Sequence, residues 1–171
     1  MRASKLERLR QFLPFFAVGL AVVSVLVAAI FWVQRGAHLR LEGTIGRVRT
    51  LGLPDASTVV VLDFRVTNLA DYPFVVRQVQ VFLDTPEGKT LQGAIASELD
   101  ASRLFEYYPV LGQRYNPTLL TRTRIEPHRS LDRMLAARFE APEEEIERRR
   151  RLRIRVEEVD GAVSEIAEAV R

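Results

Sequence analysis

Side chains able to do nucleophilic or acid–base chemistry are sparse in this chain. It has two histidines and no cysteine. His38 stands five residues beyond the end of an apolar run. His128 lies in the turn Glu126 to Ser130, next to Ser130 but without the glycine-flanked nucleophile or orienting third group that a hydrolase needs. Two isolated imidazoles without a thiolate do not make a zinc centre, and the sequence contains no EF-hand loop or phosphate-binding glycine loop. The one dense group of acids, Glu143, Glu144, Glu145 and Glu147, follows Pro142 and suits the positive end of a helix dipole. No catalytic residue, cofactor or metal is expected, and the chain is read as a non-enzyme.

Two stretches instead carry side chains suited to recognition. The loop 107–116 gathers Tyr107, Tyr108, Arg114, Tyr115 and Asn116, the aromatic and polar types that dominate binding surfaces. The same rings also suit packing of the loop onto a core, so both roles stay open. The second stretch, Arg151 to Glu157, alternates Arg151, Arg153 and Arg155 with Leu152, Ile154 and Val156. A strand here would show a row of arginines to lipid headgroups or an acidic partner, or would be an edge strand blunted by charge.

These stretches hang on a chain divided by composition. Residues 1–14 form a short basic tail. The run 15–33 has no charged side chain and at a helical rise spans roughly 28 Å, near the thickness of a bilayer's hydrocarbon core. It is longer than the apolar part of a cleaved signal peptide and ends in the bulky Ile30 to Val33, so the expectation is an uncleaved transmembrane signal anchor. Residues 34–38 make a short linker, and 39–171 form one domain of a size able to bury its own core.

The charge balance follows that division. The sequence pI is ≈ 9.7 and the net charge +3. Before Gln34 stand Arg2, Lys5, Arg8, Arg10 and Glu7; with these taken from totals of 25 basic and 22 acidic residues, 21 of each remain. The domain is neutral and the surplus flanks the apolar run, which argues against nucleic acid as a partner and for a role in topology. The expected arrangement is single-pass in the inner membrane, N-terminus cytoplasmic, domain periplasmic or extracellular.

Within the domain the periodicity is that of strands. Leu39 to Val48 alternates and is broken near Gly46. Val60, Leu62, Phe64 and Val66 share one face of the next strand, with Val61, Asp63, Arg65 and Thr67 on a wet face. From Phe74 to Asp84 the apolar phase switches, which a bulge near Arg77 reconciles. Thr85 to Lys89 is a tight turn, making 74–96 a β-hairpin. Asp100 is expected to cap a short helix and to pair with Arg103, with Leu104, Phe105 and Tyr108 inward until Pro109. Strands are then expected at Thr118–Ile125, Leu131–Phe139 and Arg151–Glu157. A helix is expected at Pro142–Arg150, held by Glu144–Arg148 and Glu145–Arg149 pairs. The tail from Ala162 fits a strand or a helix.

The count is about seven strands with one or two short helices, a mainly-β, immunoglobulin-like sandwich behind a transmembrane helix. At Phe64 to Asn68, followed by Pro73 to Leu83 and the turn at Gly88, the sequence resembles the late-embryogenesis-abundant type 2 domain and related bacterial membrane-anchored Ig-like domains, over residues 39–160. It departs from the plant pattern at Leu69, where proline is common, and in its long insertion from Asp100 to Pro117. The resemblance implies a sandwich and transfers no catalytic residue. The functional expectation is a membrane-anchored binding or scaffolding module with a protein or envelope partner. The alternatives are an accessory subunit of an envelope transport or enzyme complex, or an enzyme whose site has no recognisable motif.

Overall fold

The computed structural model describes residues 18–29 and 41–168, which fall in two separate units, 1–38 and 39–171. In the first unit, residues 18–29 form a helix, α1. Its side chains are apolar apart from Ser24, and every one of its residues is exposed. At a rise of about 1.5 Å per residue it is roughly 18 Å long. Among the described residues no helix is long and apolar enough to cross a membrane. The span expected over 15–33 is therefore not reproduced at full length: 15–17 and 30–33, like the tail 1–14 and the linker 34–38, lie outside the described residues.

The second unit is a sandwich of eight strands: β1 (Leu41–Gly52), β2 (Thr58–Asn68), β3 (Phe74–Asp84), β4 (Thr90–Ile95), β5 (Arg124–Ile125), β6 (Ser130–Phe139), β7 (Arg151–Glu158) and β8 (Val163–Ala167). Two helices interrupt them, α2 (Glu98–Tyr107) and α3 (Glu143–Glu147), with a 3-10 turn at Pro109–Leu111. The pairing order is β1-β2-β6-β4-β3-β7-β8, with β5 beside β3. All of these pairings are antiparallel. Strand β4 joins the two layers, pairing through Gly93 and the residues before it with β3, then through Ala94 and Ile95 with β6. The Leu41 amide donates to Ser164 Oγ at 2.9 Å, drawing β1 and β8 together at the far side.

The core fills with the side chains that alternation marks. Val60, Leu62, Phe64 and Val66 meet Leu135, Ala137 and Phe139 of β6 and Leu152, Ile154 and Val156 of β7. The register slips between Ile45 and Arg47, at Gly46, and between Val76 and Gln78, at Arg77. The second slip turns Phe74 and Val76 to the same core as Val81 and Leu83, as the phase change predicts. The 74–96 hairpin forms around Thr85, whose carbonyl accepts from Gly88.

Several expectations need correction. The second face of β2 is wet only at Arg65 and Thr67: Val59 and Val61 are buried under α2 and the 3-10 turn, and Asp63 under Arg49 and Asn116. Strand β7 is no edge, since β3 and β8 flank it. The segment Thr118–Ile125 supplies only the two residues of β5 and a bridge from Thr118 to Met134. Helix α3 stops at Glu147, and Arg149 turns inward to Glu168 rather than to Glu145. The tail resolves as β8, whose Ser164 and Ile166 face inward.

Candidate functional site

The insertion between β4 and β5 carries the candidate site, and its own residues dock it. Ser97 caps α2, its Oγ accepting from the Asp100 amide at 3.1 Å and donating to Asp100 Oδ2 at 2.7 Å. The cap therefore sits three residues ahead of the expected Asp100, whose carboxylate is held by Ser97 and makes no ion pair with Arg103. Ala101 and Leu111 are buried and Leu104 and Phe105 half-buried against Val59, Val61, Met134 and Ala136. Full burial of a leucine such as Leu111 contributes about 2 kcal/mol, and Ala101 and the half-buried Leu104 and Phe105 add smaller amounts.

Polar staples complete the docking. Arg49 of β1 donates to the Leu111 and Gln113 carbonyls at 2.7 and 2.9 Å and to Asp63 Oδ2 at 2.6 Å. Its guanidinium lies 5.1 Å from the Phe105 ring and 5.7 Å from the Tyr115 ring, and Arg47 stacks 4.8 Å from Tyr115. The Asn116 amide donates to Asp63 Oδ1 at 2.9 Å. Arg114 binds Glu98, the Ser102 hydroxyl at 2.8 Å and Thr118 Oγ1 at 3.2 Å.

The five loop residues thus separate into two groups. Arg114, Tyr115 and Asn116 fasten the loop to β1, β2 and α2. Tyr107 and Tyr108 instead border a groove of about 510 Å³ on the other side of the helix. Its floor is alanine, with Ala94 of β4 and Ala96 just after it beside the backbone of β6 at Ala137, and Leu53, Val59 and Leu104 close it. Small side chains leave the trough; larger ones would fill it. Asp100, Arg103 and Arg138 stand at its rim. Arg138 is committed, donating to Asp55 at 2.8 Å and Ser57 at 3.0 Å. Arg103 is exposed and has no partner among the described residues.

Leu99, Tyr107 and Val110 are exposed apolar side chains on α2 and the turn after it, the last two being 75 % and 77 % exposed. Sequence reasoning found the tyrosines but missed Ala94, Ala96 and Arg103. The available signal was the pair Ala94 and Ala96, on and just after a strand that leads straight into an inserted helix.

The arginine row lies mid-sheet. Arg153 donates to Asp84 at 2.8 Å and lies 3.3 Å from Glu165, and Arg151 is 3.7 Å from Asp84. The hydrogen bond from Arg153, supported by Thr90 and by the charge of Arg151, holds the Asp84 carboxyl below its ordinary range. Arg155 is exposed and has no partner among the described residues. Among the described residues no group of three or more His, Cys, Asp or Glu side chains is placed to hold a metal.

No protein-family model matches the chain, and no curated protein matches it. Among solved structures it is similar to the archaellum periplasmic stator protein FlaG from Sulfolobus acidocaldarius, at 9 % identity over 75 % of this chain and 98 % of that one, TM-score 0.35. The FlaF and FlaG complex of the same organism gives 10 % identity over 74 % and 86 %, TM-score 0.37. An uncharacterised β-sandwich protein from Clostridium difficile 630 gives 8 % over 77 % and 81 %, TM-score 0.33. Likeness at this level carries no argument about function. The sandwich itself stands on the strand pairing, and the late-embryogenesis-abundant type 2 label gains no family match.

Proposed function

We propose that this chain is a membrane-anchored, non-enzymatic binding module that meets an envelope partner through the outer surface of α2. The observation that carries the reading is that α2 and the turn after it expose three apolar side chains, Leu99, Tyr107 and Val110, and that Tyr107 borders a groove whose neighbouring polar groups are mostly spent inside the fold. Groups of that kind hold a surface in shape and leave little free for acid–base work. The anchoring part rests on the uncharged run 15–33 and on α1, which is apolar apart from Ser24 and exposed throughout, as a helix meant for lipid would be. In this reading the domain lies outside the cytoplasm, close to the bilayer surface.

A photo-crosslinking amino acid placed at Tyr107 in intact membranes tests the proposal. A discrete adduct is expected at Tyr107 and none at Leu69, an exposed apolar residue on the β2–β3 turn. Equal adducts at both positions, or none at either, overturn it. Retention of the chain in the membrane pellet after alkaline extraction is expected for the anchor, and release refutes that part.

A further inference from the structure

The groove beside α2 has the features of a small-molecule site as well as of a contact surface. Its volume of about 510 Å³ falls within the roughly 300–1,000 Å³ of ligand pockets. Its floor of Ala94 and Ala96 is smooth and apolar, and Tyr107 and Tyr108 present aromatic walls. Such a trough accepts an unbranched hydrocarbon chain, which has no polar group to satisfy along its length.

The rim supplies one guanidinium without a partner among the described residues. Arg138 is neutralised by Asp55 and by Glu140 at 3.5 Å. The Asp100 carboxylate takes the Ser97 hydroxyl. Arg103, by contrast, has no partner among the described residues, so a guanidinium with its planar donor fork stands free at the mouth of an apolar trough. We propose that this groove binds a single-chain anionic amphiphile, its hydrocarbon tail on the alanine floor and its carboxylate on Arg103. The inference rests on the reading of α2 as the binding surface and names the chemistry of what that surface takes.

The test uses the full chain in lipid nanodiscs with a long-chain fatty acid carrying a diazirine near its methyl end, followed by peptide mapping. Labelling is expected on the peptides holding Ala94 to Ala96 and Tyr107 to Tyr108, above that of bilayer-facing α1. Ala94→Trp fills the trough and is expected to lower this labelling about tenfold, with thermal unfolding of the variant confirming that it remains folded. Arg103→Glu is expected to lower it by about tenfold or more, the worth of a charge-assisted hydrogen bond, while an alkylamine probe of equal length is not weakened. Labelling confined to α1, or unchanged in a folded Ala94→Trp variant, overturns the amphiphile site. If the amphiphile fails while a crosslinker at Tyr107 still captures a protein, the ligand assignment is refuted and the binding surface stands. If both fail, the surface itself is refuted.

Discussion

Arg149 shows how little a charge run says about its members. The sequence Arg148 to Arg151 offers four equivalent guanidiniums, yet Arg149 alone is turned inward, 4 % exposed, with Nε and Nη2 each 2.9 Å from the Glu168 carboxylate. Withdrawing two charge-assisted bonds from a mostly buried pair is expensive, so Arg149→Met is expected to cost about 3 kcal/mol in urea unfolding. Arg65→Met, which breaks a pair with Asp132 that is half exposed on both sides, is expected to cost less than about 1 kcal/mol. Asp84 gives the pH counterpart. Its carboxyl is depressed in the folded chain, so its stabilisation is full above the ordinary value of 3.8 and fades as pH falls through the depressed one. Asp84→Asn is therefore expected to unfold about 1 kcal/mol more easily than the parent at neutral pH, with the gap closing as acid denaturation is approached.

Among the elements, strands with strict alternation were legible in the sequence, and those whose faces are set by the insertion were not. The inward faces of β2, β3, β6 and β7 and the slips at Gly46 and Arg77 follow directly from apolar phase, because a one-residue shift would turn every side chain the wrong way. The outward face of β2 misleads for a physical reason. Asp63 looks solvent-bound in sequence, but Arg49 and Asn116, 14 residues before and 53 after it, satisfy both its oxygens under the loop. The position of β7 was equally hidden, since a row of arginines reads as an edge until Asp84 and Glu165 of its two neighbours are seen beside it. Strand β4 supplies the test at this scale. A Cβ on Gly93 would stand 2.8 Å from Phe139 Cζ and 3.0 Å from Ala137 Cβ, where the strand passes from one layer to the other. Gly93→Ala is expected to lower stability by about 1–3 kcal/mol in thermal or urea unfolding. At Gly46 a Cβ would lie 3.5 Å from the Asp63 carbonyl, an ordinary contact, and Gly46→Ala is expected to be tolerated within about 0.5 kcal/mol.

At the scale of the whole molecule, the sandwich is a self-contained core onto which β4 and β5 splice a small insertion. Leu111 and Ala101 belong to the packing, whereas Tyr107 and Val110 are exposed and contribute little to it. The sequence pointed to this region through its tyrosines, but the groove depends on Ala94 and Ala96 lying between Leu104 of α2 and Arg138 of β6, neighbours only in space, and no local pattern reveals such a floor. Folding and binding are thus carried by different side chains of one short segment. The measurement that tests this division most directly combines Tyr107→Ser with Val110→Ser and reads both stability and partner capture. The unfolding free energy is expected to stay within about 0.5 kcal/mol of the parent. Capture by a crosslinker placed at the neighbouring Leu99 in intact membranes is expected to fall at least about tenfold, as for loss of interface hot-spot residues. Capture undiminished in a stably folded double variant would contradict the claim that this surface is the one the protein uses.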